Sequence, residues 1–205
     1  GGTHEAIDPV RFIGNRSSGQ MGVAIAEAAF DAGATVTSVL GPTVTVPPSV
    51  GDSVRVESAR EMAEAVEAAC QEADVLIMAA AVADFRPEST STSKIKKGPG
   101  TDAPVIALTR NPDILASVDV PGLVKIGFAA ETDDLLANAA DKLRRKGLTM
   151  IVANDAVATI GSGDSQATLL CREGEPEPLP AMSKSDLARV IVDRVARLRR
   201  EAADA

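Results

Sequence analysis

The sequence predicts an α/β protein, doubly wound, with a mostly parallel sheet and helices on both faces. A C-terminal β-hairpin and a long amphipathic helix are expected to follow that sheet. Three observations carry this reading. Short β-branched apolar runs alternate with amphipathic segments, the pattern of helices crossing between parallel strands. The run from Asp74 to Ala83 is continuously apolar after its first residue, as a strand covered on both faces requires. From Ser183 to about Ala203, Leu187, Val190, Ile191, Val195 and Leu198 recur at helical spacing.

The elements follow in order. Gly1-Gly2-Thr3 has the form of a glycine turn, which normally follows a strand, so a first strand is expected to be truncated ahead of it. Ser17 to about Gly33 is a helix with Met21, Ile25, Ala28 and Ala29 on one face, ended by Gly33. Thr35–Leu40 is a strand, Gly41 to Pro48 a Pro-rich loop, and Ser53–Glu57 a second short strand. Ser58 with Glu61 three residues on forms a capping box for a helix reaching about Glu72. From Phe85 to about Ala103 the pattern breaks, leaving Ser, Thr, Lys, Pro and Gly without periodicity. Val105–Thr109 resumes a strand, Asn111-Pro112 opens a short helix as N-cap and first helical residue, and Val124–Ala129 is another buried strand. Thr132 to Gly147 is a helix, Thr149–Ala153 a strand, and Ala167–Arg172 with Glu177–Leu179 a hairpin. No repeat or linker divides residues 1–205, which are expected to form one domain.

Composition narrows the function. Of 205 residues, 45% are hydrophobic, enough for a core that excludes disorder. Four Phe and no Trp or Tyr make that core aliphatic and argue against single-stranded nucleic acid held by stacking. A net charge of −8 repels nucleic acid at long range, so an anionic ligand needs a local cationic site. Cys70 and Cys171 lie far apart with one His in the chain, which argues against zinc and a disulfide framework. No apolar run reaches the ~18 residues of a membrane span. The expected setting is the cytoplasm.

Ligands of such sheets sit beyond the carboxyl ends of the strands. Gly14-Asn15-Arg16-Ser17-Ser18-Gly19 places hydroxyls and backbone N–H groups before a helix, an anion site or, more plainly, a helix cap. Ala79-Ala80-Ala81-Val82-Ala83-Asp84 lets a ligand approach backbone closely, or permits tight packing. Lys94-Ile95-Lys96-Lys97 is a solvated surface or the cationic tip of a mobile lid over residues 85–103. Asn111-Pro112-Asp113-Ile114 is explained by capping alone, and Lys142 and Lys146 share one helix face.

Taken together and in order, Asp8-Pro9-Val10-Arg11-Phe12-Ile13, Asn15, Ser17-Ser18-Gly19, Ala80-Ala81-Val82-Ala83-Asp84-Phe85, Lys94-Ile95-Lys96-Lys97, Asn111-Pro112-Asp113-Ile114 and Gly127-Phe128-Ala129-Ala130-Glu131 resemble the bacterial phosphopantothenoylcysteine synthetase family. The resemblance spans nearly the whole chain. It implies a Rossmann-like homodimer, normally fused behind a flavin-dependent decarboxylase. Such an enzyme joins 4′-phosphopantothenate to L-cysteine with CTP and Mg²⁺ through an acyl-cytidylate. It also implies roles. Asn15, Lys94 and Arg11 would be catalytic. Arg11 would hold the substrate carboxylate or phosphate, with Ser17, Ser18 and Gly19 beside it. CTP would lie along Met78, Ala79, Ala80, Asp84, Lys94, Asn111, Pro112, Asp113, Ile114, Phe128, Lys142 and Lys146. The metal ligands are left open. His4, Ala6 and Gln20 depart from the common family pattern; Gln20 stands where a lysine is usual. The competing readings are a nicotinamide-dependent oxidoreductase, which lacks its GxGxxG here, and a non-catalytic binding module.

Overall fold

The computed structural model describes residues 1–44, 46–96, 103–131, 134–155 and 164–203. In chain order the elements are β1 (Glu5–Ala6), β2 (Phe12–Ile13), α1 (Gln20–Asp31), β3 (Thr37–Leu40), β4 (Asp52–Arg55), α2 (Ala59–Cys70), β5 (Val75–Met78), β6 (Phe85–Pro87), β7 (Leu108–Arg110), α3 (Ile114–Ser117), β8 (Val124–Glu131), α4 (Leu135–Arg145), β9 (Met150–Asp155), β10 (Asp164–Ser165), β11 (Ala167–Cys171), β12 (Glu177–Pro178), β13 (Met182–Ser183) and α5 (Lys184–Ala203).

A five-stranded sheet of order β12-β11-β9-β8-β5 forms the centre. Strands β5, β8 and β9 are parallel, while β11 and β12 add the expected hairpin antiparallel to β9. Strands β3 and β4 pair in parallel apart from it. Side chains along the central strands alternate between two cores. Ile126, Met150, Val152 and Leu169 pack with α1 and α5, whereas Ala129, Ile151, Ala153 and Leu170 pack with α4. A third cluster joins Met62, Val66 and Cys70 of α2 to Ile114 of α3. Helices therefore cover both faces. Gly127 is required within β8, because a Cβ there would stand 2.7 Å from Leu148 Cδ1 and 3.0 Å from Leu115 Cδ2.

Several boundaries differ from the sequence expectation, each for a physical reason. Helix α1 begins at Gln20 rather than Ser17. Gly19 adopts a left-handed φ of 69° at its N-cap and makes no side-chain cap, which leaves Ser17 and Ser18 in the preceding loop. Ordered strand in the apolar run stops at Met78; beyond it Ala81 makes one parallel bridge to Gly2, and β5 itself is half-buried but packed on both faces, Val75 and Ile77 on one core and Leu76 and Met78 on the others. Asn111 does not cap α3. Asp113 does, accepting from Ala116 N, while Asn111 is drawn away to bond Ala83 and Arg86. The patternless stretch is not structureless, since Phe85–Pro87 pairs antiparallel with Leu108–Arg110. Strand β7 starts at Leu108, with Val105 left 96% exposed. Thr132 lies outside the described residues, and α4 begins at Leu135. Ser58 caps α2 as predicted, accepting from Glu61 N. The first turn of α2 has a second partner, Glu5, whose buried carboxylate accepts from Ala59 N at 2.9 Å. Among the described residues no helix is long and apolar enough to cross a membrane.

Candidate functional site

A cavity of about 960 Å³ opens where β5, β8 and β9 end. Its wall contains Asn15, Ser17, Ser18 and Gly19 before α1, then Met78, Ala79, Ala80 and Asp84 after β5. Asn111, Pro112, Asp113 and Ile114 enter α3 along the same wall, joined by Phe128 of β8, by Lys142 of α4 and by Lys146 at its C-cap. Segments far apart in sequence thus meet at the strand ends, where α/β sheets place their ligands.

Two asparagines brace the floor. Asn15 Nδ2 donates to Val82 O at 2.9 Å, and Asn111 Nδ2 donates to Ala83 O at 2.8 Å. The buried Thr3 hydroxyl accepts from Ala83 N at 3.1 Å, and Asn111 N donates to Asp84 O at 2.9 Å. The backbone from Val82 to Asp84 is therefore held by side chains and amides on several sides, and its position follows Asn15 and Asn111.

The cavity is electropositive in an acidic chain. Arg16, Arg110, Lys142, Lys146 and Lys184 line it against the carboxylates of Asp84 and Asp113. Lys142 Nζ donates to Phe128 O at 2.8 Å, and Lys146 Nζ to Asp113 Oδ1 at 2.8 Å. Burial acts most strongly and would raise the Asp113 carboxyl, but the hydrogen bond and charge of Lys146, with the Ala116 amide and the charge of Lys142, together outweigh it and hold that carboxyl below the ordinary range. An anion entering here meets fixed donors and cations. Among the described residues no three His, Cys, Asp or Glu side chains gather as a metal cluster.

Arg11 and Lys94 stand outside this wall. Arg11 is ion-paired with the fully buried Asp8 and donates to Ile95 O at 2.9 Å. Lys94 is exposed on the loop after β6. That loop is tethered up to residue 96: Thr90 Oγ1 donates to Ala6 O and Ser91 N to Ile7 O, each at 3.0 Å. The described part of the stretch expected to form a mobile lid is thus bonded to the β1–β2 hairpin. Lys97 lies outside the described residues.

The sequence reading missed Arg110, Asn154, Ser165 and Lys184, which also line the cavity. Asn154 and Arg110 lie at or near the ends of β9 and β7, so the strand-end rule that found Asp84 points to them too. Ser165 is 2% exposed, and its hydroxyl has no hydrogen-bond partner among the described residues. No sequence signal marks it.

Strands ending on a cavity lined by small residues, amides and cations define an α/β domain with a cationic cleft at its strand ends. The chain belongs to the DNA/pantothenate metabolism flavoprotein C-terminal domain family, which matches residues 1–198. It is 45% identical over 214 residues to the coenzyme A biosynthesis bifunctional protein CoaBC of Mycobacterium tuberculosis, covering 95% of this chain and 50% of that protein. The chain spans about half the length of the curated relatives it matches. A crystal structure of the C-terminal domain of a CoaBC protein superposes with TM-score 0.82 at 41% identity, covering 100% of this chain and 93% of that one. A Cab2 mutant in complex with phosphopantothenate-cysteine shares the fold at TM-score 0.78 and 17% identity, covering 99% of this chain and 85% of that one. These likenesses lend the nicotinamide-dependent alternative no support.

Proposed function

We propose that this domain is a ligase joining 4′-phosphopantothenate to L-cysteine with CTP. The observation that carries the reading is the cavity itself. It gathers Asn15, the small residues Ala79–Ala80, Asp84, the Asn111–Ile114 turn, Phe128 and two lysines at the end of α4 around one electropositive space. A relative at 45% identity is named for coenzyme A biosynthesis, and a fold neighbour holds phosphopantothenate-cysteine, which supports the same substrate class.

In the first half-reaction a carboxylate oxygen of phosphopantothenate attacks the α-phosphorus of CTP. The bond from that phosphorus to the bridging oxygen breaks, and pyrophosphate leaves with the electron pair. In the second, the cysteine amine attacks the acyl carbon. The bond from that carbon to the phosphate oxygen breaks, CMP departs and the nitrogen loses a proton. The anionic carboxylate and triphosphate repel each other, so the cations of the wall must offset that charge. Lys142 and Lys146 would serve the nucleotide, with the backbone around Ala79–Ala80 and Phe128 reading cytosine. Asn15 would donate to the acyl oxygen, where a neutral amide serves both the carbonyl and the tetrahedral oxyanion. Lys94 would be brought over the α-phosphate by its loop, and Arg11 would assist the substrate from the adjoining hairpin.

Magnesium would be held here chiefly through the nucleotide, with the Asp84 carboxylate on the wall as the protein's hard oxygen donor. When bound it shields phosphate charge. The reading includes a homodimer. Its expected surface, the hairpin over residues 167–179, ends in the two-residue edge strand β12, whereas Val10, Phe12, Phe85, Val105 and Leu108 expose apolar surface elsewhere. It also includes a cytoplasmic setting and a flavin-dependent decarboxylase domain as natural neighbour.

A nucleotide panel tests the reading. Pyrophosphate release is measured with CTP, ATP, GTP and UTP in the presence of 4′-phosphopantothenate, then CMP release on adding cysteine. Release with CTP alone, and cysteine-dependent CMP formation, are expected. Turnover with none of the four overturns the ligase.

A further inference from the structure

We infer that the Asp8 carboxylate is a positioning residue that sets Lys94 in place through the backbone of Ile95. This deepens the ligase reading and rests on Lys94 acting at the triphosphate. Asp8 is an unusual carboxylate: its side chain is 0% exposed although the turn that follows it, Pro9, Val10 and Arg11, faces solvent. Within its own turn it accepts from Val10 N and Arg11 N, each at 2.9 Å, and from Arg11 Nε at 2.9 Å, and it pairs with the second guanidinium nitrogen. Those bonds alone would satisfy it.

A further bond crosses to a segment distant in sequence. Ile95 N donates to Asp8 Oδ2 at 3.1 Å, and Arg11 Nη2 donates to Ile95 O at 2.9 Å. The Asp8–Arg11 pair therefore grips both backbone polar atoms of one residue, and that residue follows Lys94 directly. Thr92, Ser93, Lys94 and Lys96 around it are exposed, so apolar burial fixes this segment only at Ile95 itself. At Ile95 the segment is held by the grip of a charge-assisted pair whose carboxylate is buried.

The same hairpin runs on to Asn15, four residues past Arg11, whose amide is anchored on Val82 O. One node thus fixes the register of Lys94 relative to Asn15. The two half-reactions need these groups placed on a common acyl–phosphate centre, and a misplacement of about 1 Å can cost on the order of 100-fold in rate. Asp8 is not part of the cavity wall, so its loss should change rate rather than nucleotide binding.

The test compares the wild-type domain with Asp8→Asn, Thr90→Val, Lys94→Gln and the Asp8→Asn/Lys94→Gln double variant. Hydrogen exchange of the peptide containing Ile95 is read alongside kcat and KM for CTP in pyrophosphate release. Asp8→Asn should speed exchange at Ile95 and lower kcat by about 10- to 100-fold, with KM for CTP moving by less than about 3-fold. In the double variant the loss should equal that of Lys94→Gln alone, because one effect runs through the other. Thr90→Val, which removes only the surface bond to Ala6 O, should speed exchange in the same direction by less, and it stands in if Asp8→Asn does not fold. Unchanged exchange in both Asp8→Asn and Thr90→Val, a loss that falls on KM, or losses that multiply in the double variant would overturn the positioning role. If the wild type releases no pyrophosphate from CTP, the ligase reading fails, while the exchange arm still decides whether Asp8 and Arg11 hold the loop.

Discussion

Lys146 Nζ lies 2.8 Å from Asp113 Oδ1, tying the C-terminal end of α4 to the N-cap residue of α3 within the cavity wall. The Asp113 carboxyl is held low by that lysine, against the pull of burial. A carboxylate depressed in the folded state contributes stability above its unfolded pKa of about 3.9 and loses it as the pH falls through the native value. The pair should therefore be fully stabilising at neutral pH and weaken only in acid. Asp113→Asn is expected to flatten part of the loss of stability between about pH 5 and pH 3, where unfolded carboxylates titrate. Urea midpoints at the two pH values measure it. Equal loss in wild type and variant would mean that Lys146 gives Asp113 nothing.

Asn15→Asp should separate the half-reactions. The variant exchanges an amide that donates to Val82 O and, in the ligase reading, to the acyl oxygen, for a carboxylate that repels both. Pyrophosphate release should persist while amide formation falls, so that acyl-cytidylate accumulates with cysteine present. Quenched-flow product analysis distinguishes this from equal loss of both steps, which would remove Asn15 from the second.

The parts of the fold read correctly from sequence were those with strong local signals. The capping box at Ser58, the buried runs of β8 and β9, the hairpin of β11 and β12, and the periodicity of α5 were all legible. Most of the cavity followed too, because ligands collect at strand ends. What failed was decided by tertiary contacts. Asn111 looks like a cap in Asn-Pro-Asp, yet its amide is recruited by Ala83 O and the capping passes to Asp113. Asp8 accepts from Val10 N and Arg11 N in its own turn, and nothing near it in sequence announces Ile95. The Ser165 hydroxyl, without a partner among the described residues, likewise depends on neighbours that no local pattern specifies.

Helix α2 offers a stability test independent of catalysis. Its first turn is satisfied by two carriers of oxygen, Ser58 from within and Glu5 from the β1–β2 hairpin. Ser58→Ala should cost about 1 kcal/mol, the usual value for a lost N-cap. Glu5→Ala should cost more, since it also leaves the buried Ala59 amide without its partner. Urea midpoints at constant m-value measure both, and a larger loss at Ser58 would reverse the assignment.

Lys94 carries the most consequential prediction. It is exposed, outside the cavity wall, and mounted on a loop whose described part is already bonded to the β1–β2 hairpin. The free protein should therefore show slow exchange at Ser91 and Ile95, rather than the uniform mobility that the composition of the stretch implies. Added CTP should then increase protection mainly around Lys94 and Lys96, whose charges gain an anion to pair with. Exclusion of water by such closure would protect an acyl-cytidylate from hydrolysis. Lys94→Gln should lower pyrophosphate release by at least ~100-fold, the scale of one lost charge-stabilising donor. Lys96→Gln, on the far side of the gripped Ile95, should do less. Near-normal turnover in Lys94→Gln, measured by pyrophosphate release at saturating CTP, would leave the basic cluster as a solvated surface and return the work of charge neutralisation to Lys142 and Lys146.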